Sequence, residues 1–226
     1  MRTITRFILV ISVFAVSVNA QIVPKVSVGF FGGLAFPTGD FGSTSSVGAG
    51  GASTGFAFGG EVGIPLPGGL SVLGSTTLAF NSLSEKYFQD ASGSSSSVSG
   101  DLGSWTTIWP MAGIRYSGSF TPAAGYYLQG QVGLLFGSTP EVNASQGGYR
   151  YTAKSASSSA LAYGFGVGVV FARVVNVSLR YSGGQPTYEY TVTETISQPG
   201  FTSTTTYNTK NDHPATMFQL LVGVTF

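Results

Sequence analysis

The stretch LAYGFGVGVVF, residues 161–171, decides the fold. Its odd positions are Leu161, Tyr163, Phe165, Val167, Val169 and Phe171. Its even positions are Ala162, Gly164, Gly166, Gly168 and Val170. A helix, with its period of 3.6, would mix the two sets on every face. A strand separates them, because successive side chains point to opposite faces. One face is then large and apolar and the other nearly bare. An ordinary half-buried strand sets apolar residues against polar ones, so this one needs an unusual environment on both sides.

The pattern recurs along the chain. VSVGFFGGLAF puts Val26, Val28, Phe30, Leu34 and Phe36 on one face, and FAFGGEVGIPL puts Phe56, Phe58, Val62, Ile64 and Leu66 there with Glu61 opposite. LSVLGSTTLAF, WTTIWPMAGIRY, YYLQGQVGLLF, VNVSLRY and MFQLLVGVTF read the same way. In these, Ser75, Thr77, Arg115, Gln129, Gln131, Arg180 and Gln219 lie opposite the apolar set. With residues 161–171 that makes eight strands of about ten residues. Their connections alternate in length. Residues 67–69, 117–125 and 172–174 link strands briefly, whereas 37–55, 81–104, 137–160 and 182–216 are long. Short turns at one end and long loops at the other predict an all-β, eight-stranded, antiparallel up-and-down transmembrane barrel, with periplasmic turns and four extracellular loops.

Charge placement separates this from a soluble eight-stranded barrel, which must wet its outer face. Only 8% of the 226 residues are charged, against ~25% in an ordinary soluble domain. Within strands the charges are Glu61, Arg115 and Arg180, each on the small or polar face. The large apolar face carries none. A face of Gly, Ala and Ser with three charges suits a narrow interior better than a solvated exterior. Aromatic residues collect at the strand ends: Phe36, Phe56, Phe58, Phe80 and Phe136 near the long loops, Tyr116, Tyr126, Phe171 and Phe226 near the turns. These predict two interfacial girdles. Phe218 and Phe226 are eight residues apart on one face. At ~3.3 Å per residue they are about 26 Å apart along the strand, which with tilt is somewhat less than the ~25 Å apolar band, so the two rings are expected to mark the two girdles.

Residues 1–20 read as a cleaved signal peptide. Arg2 and Arg6 are followed by the apolar run Phe7 to Val18 and by Val18-Asn19-Ala20, a small-residue cleavage site. The barrel domain is then 21–226. Removing the signal leaves 8 basic and 9 acidic residues. With no basic stripe, nucleic acid is not an expected partner. With no Cys and one His, no metal or other cofactor is expected.

On these strands, on the opening segment VGFFGGLAFPTGDF and on the final LLVGVTF, the chain resembles the small eight-stranded bacterial outer-membrane proteins of the OmpX and OmpA-transmembrane type. The resemblance covers all of 21–226. It implies an outer-membrane location, outer-membrane lipid and lipopolysaccharide around the wall, and a monomer. It also implies that the last strand, with Gly223 and Phe226, is a signal read by the barrel-assembly machinery. Architecture is shared more widely than activity among such proteins.

Three places carry the functional expectations. Glu61, Arg115 and Arg180 are predicted to meet in the lumen as an ion-pair cluster, because an unpaired charge there is costly. This is read as a structural plug, with a gate in a small pore as the alternative. His213, beside Asp212, permits a lipid-A-modifying site of the His, Ser and acid kind, but no motif supports one, and the chain is expected not to be an enzyme. In TYEYTVTETI the alternation of Tyr188, Tyr190, Val192 and Ile196 with Thr187, Glu189 and further threonines continues the seventh strand, but with the polar set now outward. That predicts a hairpin raised above the membrane, paired with FTSTTTYNT. Tyr188, Glu189 and Tyr190 are its candidate surface residues, facing an extracellular ligand or surface. The function expected is therefore a structural or surface-interaction barrel. Passage of small or apolar solutes is the alternative, opposed by a lumen holding Glu61, two arginines and two glutamines.

Two local expectations complete the reading. Pro110 cannot donate to a ladder, so a bulge near Trp109-Pro110 is expected to flip parity and send Trp109 to join Trp105 at the outer girdle. The runs SGSSSSVSG and SASSS are expected to be mobile loop.

Overall fold

The computed structural model describes residues 26–45, 49–87, 99–146 and 148–226. The predicted signal peptide and most of SGSSSSVSG lie outside the described residues. Eight strands close into an antiparallel barrel: β1 (Ser27–Pro37), β2 (Gly55–Pro65), β3 (Leu70–Ser82), β5 (Ser104–Thr121), β6 (Ala124–Ser138), β9 (Ser157–Phe171), β10 (Val175–Gly184) and β13 (Ala215–Thr225). Each pairs with its neighbours along the chain. The wall closes where β13 meets β1, with Phe36 opposite Phe218 and Gly29 opposite Thr225. The last residue completes the seam: Phe226 N–H donates to the Val28 carbonyl at 2.8 Å, and Val28 N–H donates to the Phe226 carbonyl at 3.0 Å.

The alternation resolves into outside and inside. Leu161, Tyr163, Phe165, Val167 and Phe171 stand exposed on the outer wall, Leu161 at 82%. So do Phe30, Phe56, Phe58, Val62, Ile114, Leu128, Val132, Leu179, Leu220 and Val222. Water would reject a continuous apolar belt of this size, whereas hydrocarbon accepts it, and closure leaves no unpaired backbone edge within it. No helix among the described residues is long and apolar enough to cross a membrane; the strands cross instead. An aromatic row crosses β9, β10 and β13 on the belt, with Phe165 and Phe218 each 5.1 Å from Tyr181 between ring centroids.

The interior holds more than small residues. Leu73, Trp109, Leu135, Met217 and Leu221 are fully buried beside the polar set. Trp109 corrects an expectation, as does Trp105. Neither joins an outer girdle; both point inward and are buried. No bulge forms at Pro110. Thr77 still faces Trp109 and Thr76 faces Pro110 on the β3 side. On the β6 side the ladder omits residues 109 and 110, then resumes in the same register from Ile108–Phe136 to Met111–Gly133. The proline removes ladder bonds without adding a residue, so parity is kept. The only register shift in that pair lies at Ser119/Thr121. The connection expected over 117–125 is shorter, because β5 and β6 continue through it to a link of Pro122 and Ala123.

The long loops build a second sheet from β4 (Ser99–Leu102), β7 (Val142–Gln146), β8 (Tyr149–Ala153), β11 (Thr187–Gln198) and β12 (Phe201–Asp212). Its five strands lie in the order β12-β11-β8-β7-β4. β11 and β12 form the expected hairpin, from Thr187 opposite Asp212 to Gln198 opposite Phe201. The seventh barrel strand does not run straight into it. β10 stops at Gly184, and Gln185-Pro186 breaks the ladder before β11 leaves to pair with β8. SASSS is not all loop either, since β9 begins at Ser157.

Candidate functional site

Two layers of side chains fill the lumen beneath the raised sheet. The lower layer is polar and centred on Glu61. From β2 this carboxylate accepts from Arg115 Nη2 at 2.7 Å through Oε1, and from Arg180 Nη2 at 2.7 Å through Oε2. The structure thus brings together the three charges singled out in the sequence. Arg115 also donates to Gln129 Oε1 through Nη2 at 2.7 Å and Nε at 3.2 Å. Gln129 donates to Gln131 Oε1 at 3.3 Å, and Gln131 to Ser75 Oγ at 2.8 Å. Each guanidinium lies over a ring, Arg115 over Tyr127 and Arg180 over Phe31, both 4.2 Å from the centroid.

Glycines on β9 make room for this layer. A Cβ at Gly168 would lie 2.4 Å from the Tyr127 ring, and one at Gly166 would lie 3.0 Å from Arg180 Cγ. The bare face of residues 161–171 is therefore the space into which large residues from β6 and β10 reach. Two arginines share one carboxylate, with Glu61 and Arg180 buried and Arg115 partly so, and each depends on the geometry being complete.

The upper layer is aromatic. Trp105 donates Nε1–H to the Gly50 carbonyl at 2.8 Å. Its ring meets Phe41 edge-on at 5.4 Å, Tyr188 at 5.7 Å and His213 at 5.6 Å. Phe41 is carried in by a single-turn helix, α1 (Gly39–Gly42), and is buried. Trp109 lies fully buried on the same face of β5 and donates to Thr107 Oγ1 at 2.9 Å. The cleft left between this lid and the raised sheet, lined by Gly50, Trp105, Tyr151, Tyr190 and His213 among others, measures about 70 Å³. That is room for a few waters.

The hairpin residues divide. Tyr188 is fully buried at the root of β11, and burial raises its phenol pKa. It anchors the hairpin instead of being displayed by it. Glu189 is exposed and pairs with exposed Lys210 at 3.0 Å. Tyr190 is partly buried, and its hydroxyl accepts from Asn211 Nδ2 at 2.8 Å. Burial, with a smaller contribution from neighbouring Tyr190, likewise raises Tyr87, and Tyr151 is raised chiefly by burial. Gly223 sits on β13 between Phe31 and Asn176, where a Cβ would meet the Phe30 carbonyl at 2.5 Å. His213 is buried between the Trp105 and Tyr188 rings. No group of His, Cys, Asp and Glu suited to a metal occurs among the described residues.

The decisive likeness is to solved structures. The outer membrane protein OprG of Pseudomonas aeruginosa superposes over 88% of this chain and 95% of its own, at 11% identity and a TM-score of 0.51. The chain has the fold of the small eight-stranded outer-membrane barrels. Neisserial surface protein A covers similar shares, 88% and 95%, at 16% identity and a TM-score of 0.48. A major outer membrane protein of Thermus thermophilus covers 89% and 98% at 16% identity and 0.47. No protein-family profile and no curated protein matches the chain. For this barrel the likeness is one of fold, and what it does rests on its own side chains.

Proposed function

We propose that this outer-membrane barrel is a surface-interaction protein whose lumen is structurally closed and whose raised sheet is the working part. The observation that carries this is the double filling of the lumen. A largely buried Arg–Glu–Arg cluster lies below, and a lid of Trp105, Trp109, Tyr188 and His213 lies above. A conducting pore needs a wetted path, and a solute channel needs a continuous lined cavity. The raised sheet instead puts five strands of long-loop residues on the outside. In this reading residues 1–20 direct export and are removed, the short turns face the periplasm, and Gly223 and Phe226 belong to the strand recognised by the assembly machinery. No catalytic role is assigned. Burial of His213 between two rings supports this, and an unchanged lipid-A profile on overexpression is expected.

Conductance in planar bilayers tests the proposal. The purified full chain is expected to give no unitary steps, with or without Glu61→Ala. Steps in the wild-type protein would overturn the closed-lumen reading. Steps only in the variant would make the cluster a gate.

A further inference from the structure

The two edges of the raised sheet differ sharply. β4 is four residues long and offers little to pair with. β12 is twelve residues long, and every residue of it is at least partly exposed. Proteins normally blunt a free edge with lysine, proline, a bulge or a covering segment. From Phe201 to Thr209 the strand has no charge, proline or glycine, and its pairing with β11 has no bulge. Phe201 is 61% and Tyr207 42% exposed. They share a face with exposed Ile196 and Tyr149, which pair across β11 and β8. The opposite face is a hydroxyl ladder, with Thr193 to Thr206 and Thr195 to Thr204 each at 3.2 Å.

The strand is also complementary to itself. A two-fold axis through Thr204 sets Phe201 opposite Tyr207, Thr202 opposite Thr206, Ser203 opposite Thr205, and Thr204 opposite its own copy. Each is a favourable cross-strand combination: aromatic with aromatic, hydroxyl with hydroxyl. No like charges oppose one another, and the exposed aromatic face continues unbroken across the seam.

Resting on the surface-interaction reading, we propose that β12 pairs antiparallel, edge to edge, with β12 of a second copy of this chain displayed on a facing membrane. The facing arrangement follows from symmetry. Two copies in one bilayer are related by an axis along the membrane normal. That axis cannot turn a strand rising from the barrel into its antiparallel partner, whereas two copies in opposed bilayers can meet in this way. The partner is thus another molecule of the same protein, and the contact is homotypic and between membranes.

The test uses the full chain reconstituted into two dye-labelled liposome populations, with clustering read by energy transfer between them. Wild-type liposomes are expected to cluster. Thr204→Lys and Thr204→Glu each place like charges at the two-fold axis, so either population alone should fall to the level of empty liposomes. Mixing the Lys population with the Glu population should restore clustering. Heat-shifted gel mobility is the control that both variants keep the barrel. Wild-type liposomes that stay dispersed, or a mixture no better than either variant alone, overturn the inference. A protein that gives no conductance steps and does not cluster refutes only this pairing, whereas one that conducts refutes the closed-lumen reading beneath it.

Discussion

The barrel and the raised sheet are built from the same strand grammar and solve the edge problem in opposite ways. The barrel joins β1 to β13 and has no edge. Its outer face is apolar because it meets hydrocarbon, and its inner face is locked by ion pairs and rings. The sheet stays open, with threonines on one face and tyrosines on the other, and among the described residues no strand covers β12. Buried charge and close packing hold the first together, while the second rests on hydroxyl ladders and a root of buried aromatics. Stability should therefore concentrate in the wall and interaction in the sheet.

The largest effect expected on that contrast comes from Glu61→Ala. It leaves buried Arg180 and partly buried Arg115 without their carboxylate, a loss of about 3–5 kcal/mol. Denaturant unfolding in micelles should show it in the barrel transition, and a loss below ~1 kcal/mol would mean that water already screens the cluster. Trp105→Ala should cost about 3–5 kcal/mol of packing, but at the junction. Protease should then cut within β11 and β12 while the barrel keeps its heat-modifiable mobility. If the barrel opens first, the lid belongs to the wall and not to the sheet.

Alkali should separate the two regions more gently. Tyr87, Tyr151 and Tyr188 have phenol pKa values raised by burial. Their neutral forms contribute stability that is complete below the unfolded value of ~10 and is lost as pH rises through the folded values. Above pH ~10 the sheet should become protease-sensitive before the barrel loses its gel shift, and simultaneous loss would erase the distinction. The smallest effect is expected from Lys210→Ala. It removes an exposed pair with Glu189 and should change sheet stability by less than ~1 kcal/mol. A larger change would show the hairpin to be held by charge.

The wall was legible in the sequence because its signal is local. Each outer residue announces its side by parity, as Leu161 to Phe171 do, and Glu61, Arg115 and Arg180 stand out as charges on a face of small residues. The hairpin was legible for the same reason, since its polar set changes side after Tyr181. The strands β4, β7 and β8 were not. They are short, and their pairings join segments whose own alternation is weak, so only the assembled sheet defines them. The lid is obscured by Pro110, which suggests a bulge that does not form. Trp105, Trp109 and Arg115 all share odd parity on β5, and unbroken alternation alone would have put both indoles inside.

The Arg–Glu–Arg cluster has a consequence for assembly. Glu61 and Arg180 are 119 residues apart and sit on strands that are not neighbours in the wall. A strand that slips by one residue turns its whole inner set outward. For β5 or β10 that would carry an arginine into lipid, at about 2–4 kcal/mol near the bilayer midplane, while Glu61 lost a partner inside. The cluster therefore acts as a checksum on the whole circumference: it balances only when β2, β5 and β10 are all in register at once.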